Sequence, residues 1–200
     1  KIITNCGFGN KISQKAELIS RLTSAQSTLC LNDSSVTRFE RNKLVNKVFG
    51  TSIIKSFNVF NFSIEEDTHY ATVSAKHDAY KVNFDYTHER ILKINKKNGD
   101  LSGVDSLISE HNKHLNNNYS IRFHLYPGVN AVQTLGKNSI VIQIEKNRTL
   151  LFTANGENIS LEKSIFLGRN KIIDNLCITI SGKLKKNESR NILWEIKKSN

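Results

Sequence analysis

Two short clusters carry residue types able to handle a proton or an acidic ligand, Lys76-His77-Asp78-Ala79-Tyr80 and His88-Glu89-Arg90. A histidine titrates near neutrality, an adjacent carboxylate can fix its tautomer, and the planar fork of an arginine grips a carboxylate or sulfate at two points. The competing role for His77, Asp78, Tyr80, His88 and Arg90 is structural. Such residues at strand ends commonly satisfy backbone groups and one another at a sheet rim.

The surrounding sequence is expected to hold both clusters on a hairpin-rich sheet. From Tyr80, the residues Val82, Phe84 and Tyr86 alternate with Lys81, Asn83, Asp85 and Thr87, the period of a strand with one buried face. Ile91, Leu92 and Ile94 form a second apolar run, ended by the turn signal Lys96-Lys97-Asn98-Gly99-Asp100. On this reading the first cluster precedes one strand and the second lies between two.

The rest of the chain also reads as sheet. Gln14 to Leu22, with Ala16, Leu18, Ile19 and Leu22, is the one helical pattern, and it is short. Leu44 to Ile54 is irregular around Gly50. Phe57 to Ile64 and Tyr70 to Ala75 are strands, and Ser106 to Asn118 reads as a polar loop. Beyond it come Ile121 to Leu125, Val129 to Gln133, Ile140 to Ile144, Leu150 to Thr153, Ile159 to Leu161, Ser164 to Leu167, Leu176 to Ile180 and Ile192 to Ile196. Short, evenly spaced strands predict an all-β fold, an antiparallel two-layer β-sandwich with one short helix near the N-terminus, and argue against a parallel α/β architecture.

Two hundred residues suit one sizeable core, and no apolar run is long enough for a membrane span. A chain that opens on Lys1 and holds no methionine is expected to be a piece of a longer polypeptide. The net charge of +11 favours polyanionic partners, although lysines scattered over many turns are also what a solvated surface carries. No aromatic-basic stripe able to stack bases occurs, so nucleic acid is not an expected partner. Neither a phosphate-cradling glycine loop nor a nucleophile elbow is present, and no cofactor is expected.

Cys6, Cys30 and Cys177 are too widely spaced for a disulfide framework or zinc knuckle, and read as small buried residues. His111 and His114 stand three apart among asparagines. They would bind metal only on a helix with a third ligand from elsewhere.

Several ordered segments resemble the C-terminal region of bacterial heparinase II/III-like proteins. They are Lys1 to Gly7, Ala25-Gln26-Ser27-Thr28-Leu29, His77 to Tyr80, His88-Glu89-Arg90, Leu101 to Asp105 and Phe123 to Pro127, with Ser160 to Gly168 and Ile192 to Ile196 closing the chain. The resemblance covers nearly the whole chain and implies a single β-sandwich domain over residues 1–200, preceded in the whole protein by an α/α toroid.

It implies β-elimination on acidic, uronate-containing polysaccharide. The uronate carboxylate is neutralised, C5 loses its proton to a base and the 4-linked sugar departs. In the family the catalytic asparagine or histidine and tyrosine come mainly from the toroid, and a further histidine just precedes the strand opening this chain. No catalytic position is therefore expected here. His77, Asp78, Tyr80, His88 and Arg90 become candidates for the substrate cleft or the seam between domains, with His88 and Arg90 nearest a substrate carboxylate or sulfate.

Two positions depart from the family pattern. Gln26 stands where many members have a histidine that can ligate zinc, and Asn5-Cys6 where an acidic ligand often ends the first strand. Amide side chains ligate zinc poorly, so no metal is expected there. By resemblance the compartment is the periplasm or cell envelope. Two readings from other classes stay open: a non-catalytic module binding anionic glycan or cell-envelope polymer, and the remnant of a split lyase gene.

Overall fold

Alternating apolar residues at Tyr119, Ile121, Phe123 and Leu125 put one face of a strand into a core and leave Ser120, Arg122 and His124 on the other. The same period recurs at Ile192, Trp194 and Ile196 on a facing sheet, and the two faces meet where Phe123 packs edge-on to Trp194 at 4.6 Å and to Phe152 at 5.0 Å between ring centroids. In the computed structural model, which describes residues 1–40, 42–110, 116–145, 148–168 and 170–199, this pairing builds a two-layer antiparallel sandwich.

The elements in chain order are β1 (Ile3–Thr4), α1 (Gln14–Ser20), β2 (Leu29–Leu31), β3 (Arg38–Phe39), α2 (Lys43–Phe49), β4 (Ile53–Lys55), β5 (Val59–Glu66), β6 (Tyr70–His77) and α3 (Lys81–Phe84). There follow β7 (Tyr86–Asn95), β8 (Leu101–Ser109), β9 (Asn117–Leu125), β10 (Asn130–Gln133), β11 (Ser139–Glu145), β12 (Arg148–Ala154), β13 (Asn158–Gly168), β14 (Lys171–Leu184) and β15 (Arg190–Lys198). One sheet runs β1-β9-β14-β13 with β2 also on β9; the other runs β10-β11-β12-β15-β8-β7-β6-β5. A β3-β4 ribbon lies apart from both. Among the described residues, no helix is long and apolar enough to cross a membrane.

The predicted fold class holds, with local corrections. Lys81 to Phe84 is a helical turn rather than a strand, closed by Asp85 in the left-handed region at φ 67°. Tyr80 is buried and Val82 is 63% exposed, so the period-two pattern there marks no common buried face. His88-Glu89-Arg90 lies within β7, not between strands, because the inward positions of this strand are themselves polar.

Lys43 to Phe49 is helical, with the Asn42 side chain accepting from the N–H groups of Leu44 and Val45 and Gly50 ending it at φ 71°. The two segments Ile159 to Leu161 and Ser164 to Leu167 form the single strand β13, and the loop expected from Ser106 is strand up to Ser109. His111 and His114 lie outside the described residues. All three cysteines are buried free thiols, in line with their reading as small buried residues.

Candidate functional site

Register brings the polar residues of four adjacent strands onto one inward patch. Arg90 of β7 pairs directly with Asp105 of β8, His77 of β6 with His88 of β7, and Trp194 of β15 with Gly103, two residues along from Asp105. Residues two apart on neighbouring strands are within reach of long side chains, so one carboxylate can collect donors from both sides.

Asp105 is fully buried and every lone-pair direction is used. Its Oδ1 accepts from His88 Nε2 at 2.8 Å and Arg90 Nε at 2.7 Å, and its Oδ2 from Arg90 Nη2 at 3.0 Å and Trp194 Nε1 at 2.9 Å. Burial alone would push the carboxyl up, but the Arg90 guanidinium and the His88 hydrogen bond overcome it and hold Asp105 below the usual carboxylate range. The third Arg90 nitrogen, Nη1, donates to the Ser27 carbonyl at 2.7 Å, tying this sheet to the segment that enters β2.

The network fixes the tautomers of two histidines. Asp105 only accepts, so His88 carries its proton on Nε2 and offers the Nδ1 lone pair to His77 Nε2 at 2.9 Å. His77 Nδ1 accepts from the Ala79 N–H at 3.3 Å, so its own proton sits on Nε2 and points at His88. The result is a one-way chain, Ala79 to His77 to His88 to Asp105. Burial first, and then the neighbouring His88, lower the His77 pKa from 6.5 to about 4 and keep that ring neutral.

Four of the five residues singled out in the sequence meet here. The Tyr80 ring is buried against His77, and its hydroxyl donates to the Leu29 carbonyl at 2.8 Å; burial pushes its pKa far up. Asp78 faces away from the network and grips Asn58 instead, accepting from its backbone N–H and its amide at 2.8 Å each, which lowers its pKa. His88 is sealed from water, and all three guanidinium nitrogens of Arg90 are engaged within the fold.

Sequence reasoning missed Asp105 and Trp194. The signal was the run Leu101, Gly103, Asp105, Leu107, in which a carboxylate occupies an inward position and must therefore be paired.

Asn5 and Gln26 are spent on backbone. Asn5 Oδ1 accepts from the Ser27 N–H at 2.8 Å, and Gln26 Nε2 donates to the Ser20 carbonyl at 2.7 Å. Two amides so engaged do not fit a zinc ion, and no step of chemistry is derived through one.

The sequence matches the family described as heparinase II/III-like, C-terminal, over residues 1–195. No curated protein sequence matches it. Among solved structures, the chain resembles heparan sulfate lyase HepC from Pedobacter heparinus with a TM-score of 0.73 at 15% identity, over 100% of this chain and 28% of that one. It resembles heparinase III with a TM-score of 0.67 at 14% identity, over 94% of this chain and 26% of that one. At these identities the likeness is one of fold, and the chain spans about a quarter of the length of either lyase. The family match over almost every residue, on the fold those lyases contain, places this chain in the heparinase II/III-like family as its C-terminal type of domain.

Proposed function

We propose that this chain is the β-sandwich part of a heparinase II/III-like lyase that cleaves acidic, uronate-containing polysaccharide by β-elimination, and that it is inactive without a helical domain. The observation that carries this reading is the family match over residues 1–195. The chain's own contribution is a rigid wall for the substrate cleft. The Asp105, His88 and Arg90 network locks β7, β8 and β15 in register, and half-buried His77 stands at its outer end, facing the cleft or the seam between domains. The net charge of +11 supplies attraction for an acidic polymer.

Incubation with uronate-containing polysaccharide, followed by ultraviolet absorbance of the unsaturated uronate product, tests the proposal. The isolated chain should release none, and a longer protein carrying the helical domain should release it steadily. Product from the isolated chain would overturn the division of labour.

The basic charge also supports a second reading, a non-catalytic module for anionic glycan. Retention on a sulfated-glycan column, with no product from the longer protein either, would favour that one. The expected compartment in both cases is the periplasm or cell envelope, checked by cell fractionation.

A further inference from the structure

A separate polar cluster sits on the outward face of the five-stranded sheet, away from the Asp105 network. His124 of β9 lies there beneath the segment that follows β1, with Ser164 of β13 and Cys6 against it. The His124 Nε2 atom is 3.0 Å from the Ser24 carbonyl oxygen, which can only accept, so the ring proton is on Nε2 and Nδ1 presents its lone pair. Ser164 Oγ lies 3.0 Å from that Nδ1 and donates to it.

The Cys6 sulfur is 3.3 Å from Nδ1 and 3.6 Å from Nε2. The sulfur also lies 3.9 Å from Ser164 Oγ, so thiol and hydroxyl share the Nδ1 side of the imidazole, and the hydroxyl, at the shorter distance, is the donor assigned to that nitrogen. Cys6 is held there by its backbone, which donates to the Ala25 carbonyl at 2.8 Å and accepts from the Leu167 N–H at 2.6 Å.

A hydroxyl on a basic imidazole nitrogen, with the other nitrogen anchored by an acceptor, is the nucleophile, base and orienter arrangement of acyl-transfer sites. Ser164, His124 and Cys6 line a surface cavity of about 450 Å³, so the hydroxyl has room in front of it. The imidazole is nearly sealed from water while Ser164 is half-buried, which leaves the nucleophile the more accessible of the two. Burial, only partly offset by the Ser24 carbonyl, lowers the His124 pKa, so the ring rests neutral and able to take a proton.

We propose that Ser164 and His124, with the Ser24 carbonyl holding the imidazole, form a nucleophile–base pair that takes the acyl group of small carboxylic esters. In the first step the Ser164 Oγ–carbonyl carbon bond forms as the hydroxyl proton moves to His124 Nδ1. The ester C–O bond then breaks, and the leaving alcohol takes that proton. Water, deprotonated by the same nitrogen, cleaves the acyl-serine and returns the pair to its starting state. This activity is independent of the lyase reading and needs no group from a helical domain.

The test is p-nitrophenyl acetate hydrolysis by the purified full chain, with peptide mass spectrometry of acetylated side chains after a short reaction. Acetyl-Ser164 should form ahead of every other serine and threonine. Ser164→Ala should lower nitrophenolate release at least about tenfold, as expected for loss of a base-assisted nucleophile. The acetyl group should be found on Ser164 ahead of Cys6 in the same digest, excluding the thiol as the acceptor; acetyl-Cys6 ahead of acetyl-Ser164 overturns the proposal. His124→Gln should lower it as far as Ser164→Ala; should that variant fail to fold by circular dichroism, half-buried Ser164→Ala decides the matter. Hydrolysis unchanged in Ser164→Ala, or no preference for acetylation at Ser164, overturns the proposal.

Discussion

His88 Nε2 lies 2.8 Å from Asp105 Oδ1, and both side chains are sealed inside the sandwich. A charge removed from water is tolerable only when its partners replace the lost hydration, and Asp105 has four donors from the two strands that flank its own. The carboxylate is thus the hub that holds β7, β8 and β15 in register.

Removing the hub should cost far more than the burial of one small side chain suggests. Asp105→Ala leaves the Arg90 guanidinium, the His88 Nε2–H and the Trp194 indole N–H without their shared acceptor, and should lower unfolding stability by about 3–5 kcal/mol. Urea denaturation monitored by circular dichroism measures it. A variant within about 1 kcal/mol of the parent would show that these donors find water or other partners.

The His77 ring predicts how stability responds to acid. Its pKa is about 4 in the fold against an ordinary 6.5, so between those values the unfolded chain binds more protons than the native one, and stability rises with pH. The contribution is complete above pH 6.5 and is lost as pH falls toward 4. It amounts to at most about 3 kcal/mol, at roughly 1.4 kcal/mol per pKa unit. Asp105, held below the usual carboxylate range, acts in the same direction at lower pH still. Thermal unfolding of the parent and His77→Gln across this window should give a steeper pH slope for the parent; equal slopes would remove His77 as the cause.

The layers of this fold were legible in the sequence wherever inward positions are apolar, as at Ile121, Phe123 and Leu125 or at Ile192, Trp194 and Ile196. Legibility failed where a strand buries polar residues. His88 and Arg90 are inward on β7, and only Asp105, supplied by the next strand, makes that possible. The same failure placed both residues at a rim rather than in the interior. Local alternation misled in the opposite sense at Lys81 to Phe84, where four residues are too few to separate a strand from a single helical turn.

Gly103 is small because Trp194 lies across it. A Cβ at that position would overlap the indole ring, so Gly103→Ala must displace Trp194 and stretch its 2.9 Å hydrogen bond to Asp105. A loss of about 1–3 kcal/mol is expected from such overpacking. Trp194 is the only tryptophan, so its fluorescence reports the site alone. The emission should shift to the red and the thermal midpoint fall; an unchanged spectrum with an unchanged midpoint would mean that the ring is not fixed there.

Strand β5 closes one end of the eight-stranded sheet, opposite a layer of only five strands, and hydrogen-bonds to β6 on one side. Val59, Phe62 and Ile64 on it are 62%, 63% and 64% exposed, so a strand that is terminal among the described residues carries both an unpaired edge there and apolar side chains. Such an edge invites pairing with another copy, and charges on it are a common protection. The isolated chain is therefore expected to self-associate as its concentration rises, read by light scattering. Phe62→Lys with Ile64→Lys should keep it monomeric with an unchanged circular dichroism spectrum, because neither side chain is buried and added charge repels a like edge. A parent chain that stays monomeric throughout, or a double variant that associates to the same extent, would show that the bulge at Asn61, which twists this strand between Phe60 and Ser63, already protects the edge.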